Sequence, residues 1–127
     1  MTPLAAGVND AELIPLIDQW ASLLERGDHD AVFALTDHLP EFGWTPDLVR
    51  ETVSWCGPHD PDRRVTLEPD PPGGRKAVCR WPEPAPDGSF GEICYHLNLD
   101  GRASDTVATF VLRTTQEGVT VHFEGIK

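Results

Sequence analysis

Between Gly57-Pro58 and Arg64 the hydrophobic period of this chain changes from about 3.6 residues to 2. The change happens once and does not reverse. Helices followed by strands, without alternation, predict helices stacked on one face of an antiparallel sheet rather than βαβ units. Before the change, Leu13, Leu16, Ile17, Trp20, Leu23 and Leu24 make one helical stripe, widened by Ile14. Residues 1–9 read as a flexible start, Asp10 is the expected N-cap, Pro15 falls in the first turns, and Gly27 is the expected stop. A shorter helix is expected over 28–36, with Ala31, Ala34 and Leu35 inward and Val32 or Phe33 at its edge. Thr45-Pro46-Asp47 supplies a cap, a first-turn proline and a first-turn acid, so a third helix starts there. Leu48, Val49, Thr52, Val53 and Cys56 share its inner face, and Gly57-Pro58 ends it.

After the change, strands are expected over 64–68, 76–81, 90–99, 105–113 and 119–124. Asp100-Gly101 and Glu117-Gly118 supply turns, and Pro-rich breaks follow the first two strands. Pairing residue 99 with 105 and 113 with 119 puts Ile93, Tyr95, Leu97, Val107, Thr109, Val111, Val121 and Phe123 under the helices. The other face then carries Cys94, His96, Asn98, Ala108, Phe110, Leu112, Thr120, His122 and Glu124. A one-residue bulge would reverse part of this division. The expected fold class is α+β: three N-terminal helices packed on one face of a curved, mostly antiparallel four- to five-stranded sheet. At 127 residues, with no linker and no internal repeat, the chain reads as one domain spanning 1–127.

Charge is the second constraint. The formal net charge is −11. Residues 1–62 hold 12 acidic residues against Arg26 and Arg50, a balance of −10. Residues 63–127 hold nine acids and eight bases, a balance of −1. An acidic chain lacks the basic face that phosphate backbones and anionic membranes require, so neither nucleic acid nor membrane is an expected partner. No stretch approaches the roughly 18 apolar residues of a membrane span, and residues 1–10 lack the basic, apolar pattern of a secretory signal. Cys56, Cys79 and Cys94 are an odd set without short spacing, which predicts reduced, buried thiols and a cytoplasmic location.

Two segments carry a resemblance. LIDQWASLLERGDHDAVFALTDH, residues 16–38, resembles the opening helices and residue-Gly-Asp junction of the nuclear-transport-factor-2-like superfamily, the cystatin-like roll. ASDTVATFVLRTTQEGVTVHFEGI, residues 103–126, resembles its closing hairpin, and the chain also resembles small uncharacterised bacterial proteins with the same two segments. The resemblance spans about half the chain and implies a cone-shaped roll, in the company of ketosteroid isomerase-like and polyketide cyclase-like proteins. Enzymes of that superfamily use a pocket Asp or His as base and a Tyr as oxyanion donor. No local motif carries those roles to numbered residues here, and 57–89 departs from the pattern.

Few residues are spaced for chemistry. Cys94-x-His96, with His122 and Glu124, offers metal-ligand types, but a strand between the two sets holds them about 9.6 Å apart. No metal and no cofactor are expected. Cys94 and His96 stand about 7 Å apart along a strand, too far for a thiolate–imidazolium pair. Cys56 and His59 flank a helix C-terminus, whose dipole raises a thiol pKa. Gly73-Gly74-Arg75-Lys76 precedes a strand rather than a helix, unlike a phosphate loop. Asp37-His38 with Glu41 is an acid–imidazole pair in a loop, a general acid–base candidate. Arg63, Arg64, Arg75 and Lys76 flank the first strand pair and can balance the acidic half.

The expected function is a small non-catalytic interaction module, immunity- or inhibitor-like, that binds a basic protein through its acidic helical half. Asp28, Asp30, Asp37, Glu41, Asp47 and Glu51 are the expected contacts. The alternative is a ligand-binding or isomerase/cyclase-like roll, with Trp20, Trp55, Trp81, Tyr95 and His38 lining an apolar cavity of about 300 Å³ or more. A homodimer through an open sheet face around Phe110 and Leu112 is compatible with either.

Overall fold

The computed structural model describes residues 1–127. Helix α1 runs Asp10–Glu25, α2 His29–Leu35 and α3 Pro46–Ser54. The strands are β1 Asp37–His38, β2 Val65–Thr66, β3 Lys76–Arg80, β4 Ser89–Leu99, β5 Arg102–Thr115 and β6 Gly118–Ile126. They form one curled, mixed sheet in the order β1-β6-β5-β4-β2, with β3 sharing the outer edge of β4 with β2. The only parallel pair is β1·β6. The α+β architecture with N-terminal helices is the one expected.

Local chemistry explains the helix ends. Asn9, not Asp10, caps α1, its side chain accepting the Glu12 N–H at 3.1 Å. Gly27 adopts φ 75°, which a glycine tolerates without Cβ strain. Its N–H then reaches Leu24 O and the next N–H, of Asp28, reaches Leu23 O. That pair of bonds is a Schellman stop. Asp28 immediately caps the following helix, accepting the Ala31 N–H at 3.2 Å. One dipeptide thus ends α1 and starts α2. Thr45 caps α3 through the Leu48 N–H, as Thr45-Pro46-Asp47 implied.

The core lies between α1 and the concave face of the sheet. Leu13, Ile17, Trp20 and Leu24 of α1 meet Ile93, Tyr95, Leu97, Ala108, Phe110, Leu112, Val121 and Phe123. Trp20 is edge-on to Phe110 at 4.9 Å and tilted against Phe123 at 5.5 Å. Val32 is the buried residue of α2, while Ala34 is exposed, which rotates that helix from its expected phase.

The division of faces expected for β5 is reversed. Leu97 pairs with Thr106, Tyr95 with Ala108 and Ile93 with Phe110, so Ala108, Phe110 and Leu112 are core residues. Val107, Thr109 and Val111 face the opposite side. The cause is turn length. The Asp100-Gly101 turn joins Leu99 directly to Arg102, and Gln116-Glu117, not Glu117-Gly118, joins Thr115 to Gly118. Leu99 meets Arg102 instead of residue 105, a shift of three that a bulge between Leu97 and Leu99 trims to one, and Arg113 meets Thr120 instead of Val119, a shift of one; an odd slip turns a whole strand over. The homodimer surface around Phe110 and Leu112 is therefore closed, since both side chains are fully buried.

Three smaller expectations also change. Strand 64–68 contracts to Val65–Thr66. Asp37–His38, expected as a loop, pairs parallel with His122–Phe123. The chain start, expected to be flexible, pairs Leu4 with Val119.

The observed register ranks core substitutions in an order opposite to the expected one. Phe110→Ala should lower the unfolding free energy by about 3–5 kcal/mol, and Val107→Ala by about 1 kcal/mol or less. Urea unfolding of both variants checks this, and equal or inverted losses would return β5 to the other register.

Candidate functional site

The acidic half is built from α2, the 3-10 turn Pro40–Phe42 and α3. Asp28 and Asp30 lie at the start of α2, Glu41 in the turn, and Asp47 and Glu51 along α3; all five are exposed. Asp28 is engaged as a cap, with its carboxylate still reaching solvent. Asp47 is 3.6 Å from Arg50, in a pair that is exposed on both sides. Such pairs are worth about 0–1 kcal/mol. Asp30, Glu41 and Glu51 have no ion-pair partner. Asp37 stands apart: it is half-buried on β1 and holds the amino terminus at 2.7 Å.

Five of the eight cations in residues 63–127 are paired within the chain. Arg63 pairs with Asp100, Arg75 with Asp70, Lys76 with Asp18, Arg80 with Asp10 and Arg113 with Asp87. Arg75 does more than flank a turn: its guanidinium donates to His96 O and Leu67 O, anchoring the long loop after β2. Two of these pairs take acids of α1, and none takes an acid of α2 or α3, so those two helices keep most of their negative charge.

Two large apolar side chains are exposed, Phe42 at 54% and Trp55 at 61%, and both belong to this same acidic stretch. Asp47, Glu51 and Trp55 are spaced by four residues, which sets them along one stripe of α3. Trp55 stacks on His59 with ring centroids 4.0 Å apart. A polar groove of about 440 Å³ runs beside them, lined by Asp47, Arg50, Glu51, Ser54, His59 and Pro61. The sequence places Trp55 in a cavity, whereas the structure leaves it exposed. The missed signal was helical phase, because residue 55 falls outside the stripe of Val49, Val53 and Cys56.

The other candidate cavity residues do not converge either. Trp20 fills the core against Phe110 and Phe123. Trp81 is half-buried beyond β3, and His38 stacks on Phe33 at 3.9 Å. Tyr95 donates to Asp18 Oδ1 at 2.9 Å, while Lys76 Nζ holds both oxygens of that carboxylate at 2.9 Å. Burial, followed by the neighbouring Asp18 carboxylate, holds the Tyr95 phenol well above its usual range. The residue works as a tie between β4 and α1. The pocket beside the α1–α2 junction holds about 100 Å³, below the size of an ordinary ligand site.

Neither Cys56 nor Cys94 is set up as a nucleophile. Burial raises the Cys56 and Cys94 pKa values, and Glu92 and Cys79 raise Cys94 further. Cys79 is exposed on β3, which corrects the expectation that all three thiols are buried. β5 separates His122 and Glu124 from Cys94 and His96. Thr109 donates to Glu124 at 3.0 Å, and Thr120 lies 2.8 Å from His122 Nε2. Nowhere do three His, Cys, Asp or Glu side chains converge as a ligand set. Asp37, His38 and Glu41 do not form an acid–base group: the amino terminus holds Asp37, Phe33 covers His38, and Glu41 is exposed on the turn.

Compared with protein-family models, curated proteins and solved structures, the chain matches none of them. The resemblance to the roll superfamily stands on the two quoted segments alone.

Histidine chemistry makes a pH prediction. Burial lowers the pKa of His29, His38 and His122 below the ordinary 6.5, and Arg50 and Arg113 lower His29 and His122 further. Below pH 6.5 the unfolded chain therefore takes up protons that the folded chain resists. Stability should fall as pH drops from about 7 to 5, because the unfolded state binds more protons there. His122→Gln should flatten that slope. Urea midpoints measured across this range check both statements, and a slope unchanged in the variant would remove His122 from the account.

Proposed function

We propose that this chain is a small interaction module without catalytic machinery, which takes a basic protein partner on its acidic helical half and blocks it sterically, as immunity- or inhibitor-like proteins do. One observation carries the reading: Asp30, Glu41 and Glu51 lack intramolecular cations, while five cations of the second half are paired within the chain. A strongly negative face accelerates encounter with a cationic surface and repels acidic competitors. Affinity then needs a desolvated anchor, and exposed aromatic residues commonly fill that role. Trp55, beside Glu51 and Asp47, suits an arginine or lysine side chain, which gains from both the ring face and the carboxylates. Phe42 supplies a second apolar contact next to Glu41.

Tagged wild-type protein and an Asp30→Lys/Glu41→Lys/Asp47→Lys/Glu51→Lys variant, used as parallel baits, test this. The expected prey is a stoichiometric basic protein held by the wild type, released at high salt and absent from the variant. Its association rate should fall about 10- to 100-fold on charge reversal and lose its salt dependence. Trp55→Ala should act mainly on dissociation. A prey bound equally by both baits would overturn the reading.

A further inference from the structure

The hydrogen-bond phase of β3 leaves one edge of the sheet open. The Trp81 N–H donates to Phe90 O at 2.8 Å, and the His96 N–H donates to Arg75 O at 2.7 Å. Both bonds belong to the same antiparallel ladder, in which Ala77 faces Cys94 and Cys79 faces Glu92. Odd-numbered residues of β3 therefore bond to β4. The N–H and C=O groups of Lys76, Val78 and Arg80 point the other way, where no backbone partner meets them. Unpaired strand edges invite a further strand, and lysines on the edge commonly guard against it. Here the guards are engaged elsewhere. Lys76 is held by Asp18, and Arg80 by Asp10 and Val8 O, all on α1.

We propose that a second copy of this chain docks on that edge, β3 against β3 and antiparallel, about a two-fold axis through Cys79. The inference is independent of the partner reading above and uses a different part of the surface. In this register Val78 and Arg80 exchange both backbone bonds with Arg80 and Val78 of the partner subunit. The Lys76 N–H reaches the carbonyl of the partner's Pro82, where a missing proline N–H removes only one bond. Cys79 then faces the partner's Cys79 at a non-hydrogen-bonded position. Cα atoms there are about 4.5 Å apart, within the range a disulfide spans.

Charge favours this edge over any other approach of two copies. Residues 71–82 are the longest stretch without an acidic side chain in a chain of net charge −11. Their three cations, Arg75, Lys76 and Arg80, are each paired with an acid of their own chain. The seam is close to neutral, while the acidic helical half repels its copy. Cys79 is also the exposed thiol of the three, so oxidation selects this register. One Cys79 thiolate attacks oxidised glutathione and releases one glutathione thiolate. The partner's Cys79 thiolate then attacks the mixed disulfide and releases the second. Two protons leave the protein and the two electrons pass to glutathione.

The test uses the whole chain. Under reducing conditions, sedimentation should show a dimer whose fraction rises with concentration, and amide exchange should slow at Lys76, Val78 and Arg80. Val78→Pro removes an outward N–H without touching the β4 ladder, and should raise the dimer dissociation constant more than tenfold. Cys79→Glu, at an exposed position, sets two carboxylates face to face and should do the same if the proline variant fails to fold. Oxidised glutathione should yield a dimer on non-reducing gels for wild type and none for Cys79→Ser, which still dimerises without the bond. The proposal is overturned by a monomer at every concentration, by an undiminished dimer in both variants, or by oxidation that stops at the glutathione adduct.

Discussion

Trp20 stands in the middle of α1 and reaches the rings of Phe110 on β5 and Phe123 on β6. That contact sets the distance and tilt at which the helix crosses the sheet. Phe123 in turn meets Trp44 at 4.6 Å, which draws the segment before α3 over the same strands. A large aromatic side chain brings more apolar area than any aliphatic one, and edge-to-face geometry adds a directional term. The concave face is filled by this group, so the curl of the sheet encloses side chains rather than a ligand-sized space.

The outside is divided by charge. Ion pairs at Asp10–Arg80 and Asp18–Lys76 clip α1 to β3, and the Tyr95 hydroxyl shares the second of them. Arg63 and the Arg64 N–H meet Asp100 at the β4–β5 turn. These contacts are individually weak because they are solvated. Their collective effect is on location: they cancel charge along the β3 side and leave α2 and α3 negative. The two proposals follow from the two halves of that division. A negative helical face with exposed Trp55 and Phe42 suits a cationic partner, and a neutral open edge suits another copy of the same strand.

Much of the fold was legible because it depends on near neighbours. The α1 stripe, the Gly27-Asp28 junction, the Thr45-Pro46-Asp47 start and the long strands β4 and β6 each rest on contacts within a few residues. The faces of β5 were not legible. Val107, Thr109 and Val111 compete with Ala108, Phe110 and Leu112 for the core, and both sets are apolar enough to occupy it. Two turns, each shorter than expected by an odd number of residues, decided between them. Of the candidate site, the acidic positions were readable as composition, but Trp55 was misplaced because α3 ends at the residue where its phase matters most. Asp37 was readable as an acid, not as the partner of the amino terminus.

By itself the sequence determined the three helices, the long strands β4, β5 and β6, and that negative charge gathers in the first half, because period, capping and composition are local properties. Tertiary structure alone decided which face of β5 is buried, that Cys79 lies on an open edge, and which cations are left to face solvent. Those outcomes depend on register and on pairing between residues as far apart as Asp10 and Arg80, where the free energy of a local choice is settled by the partner it meets.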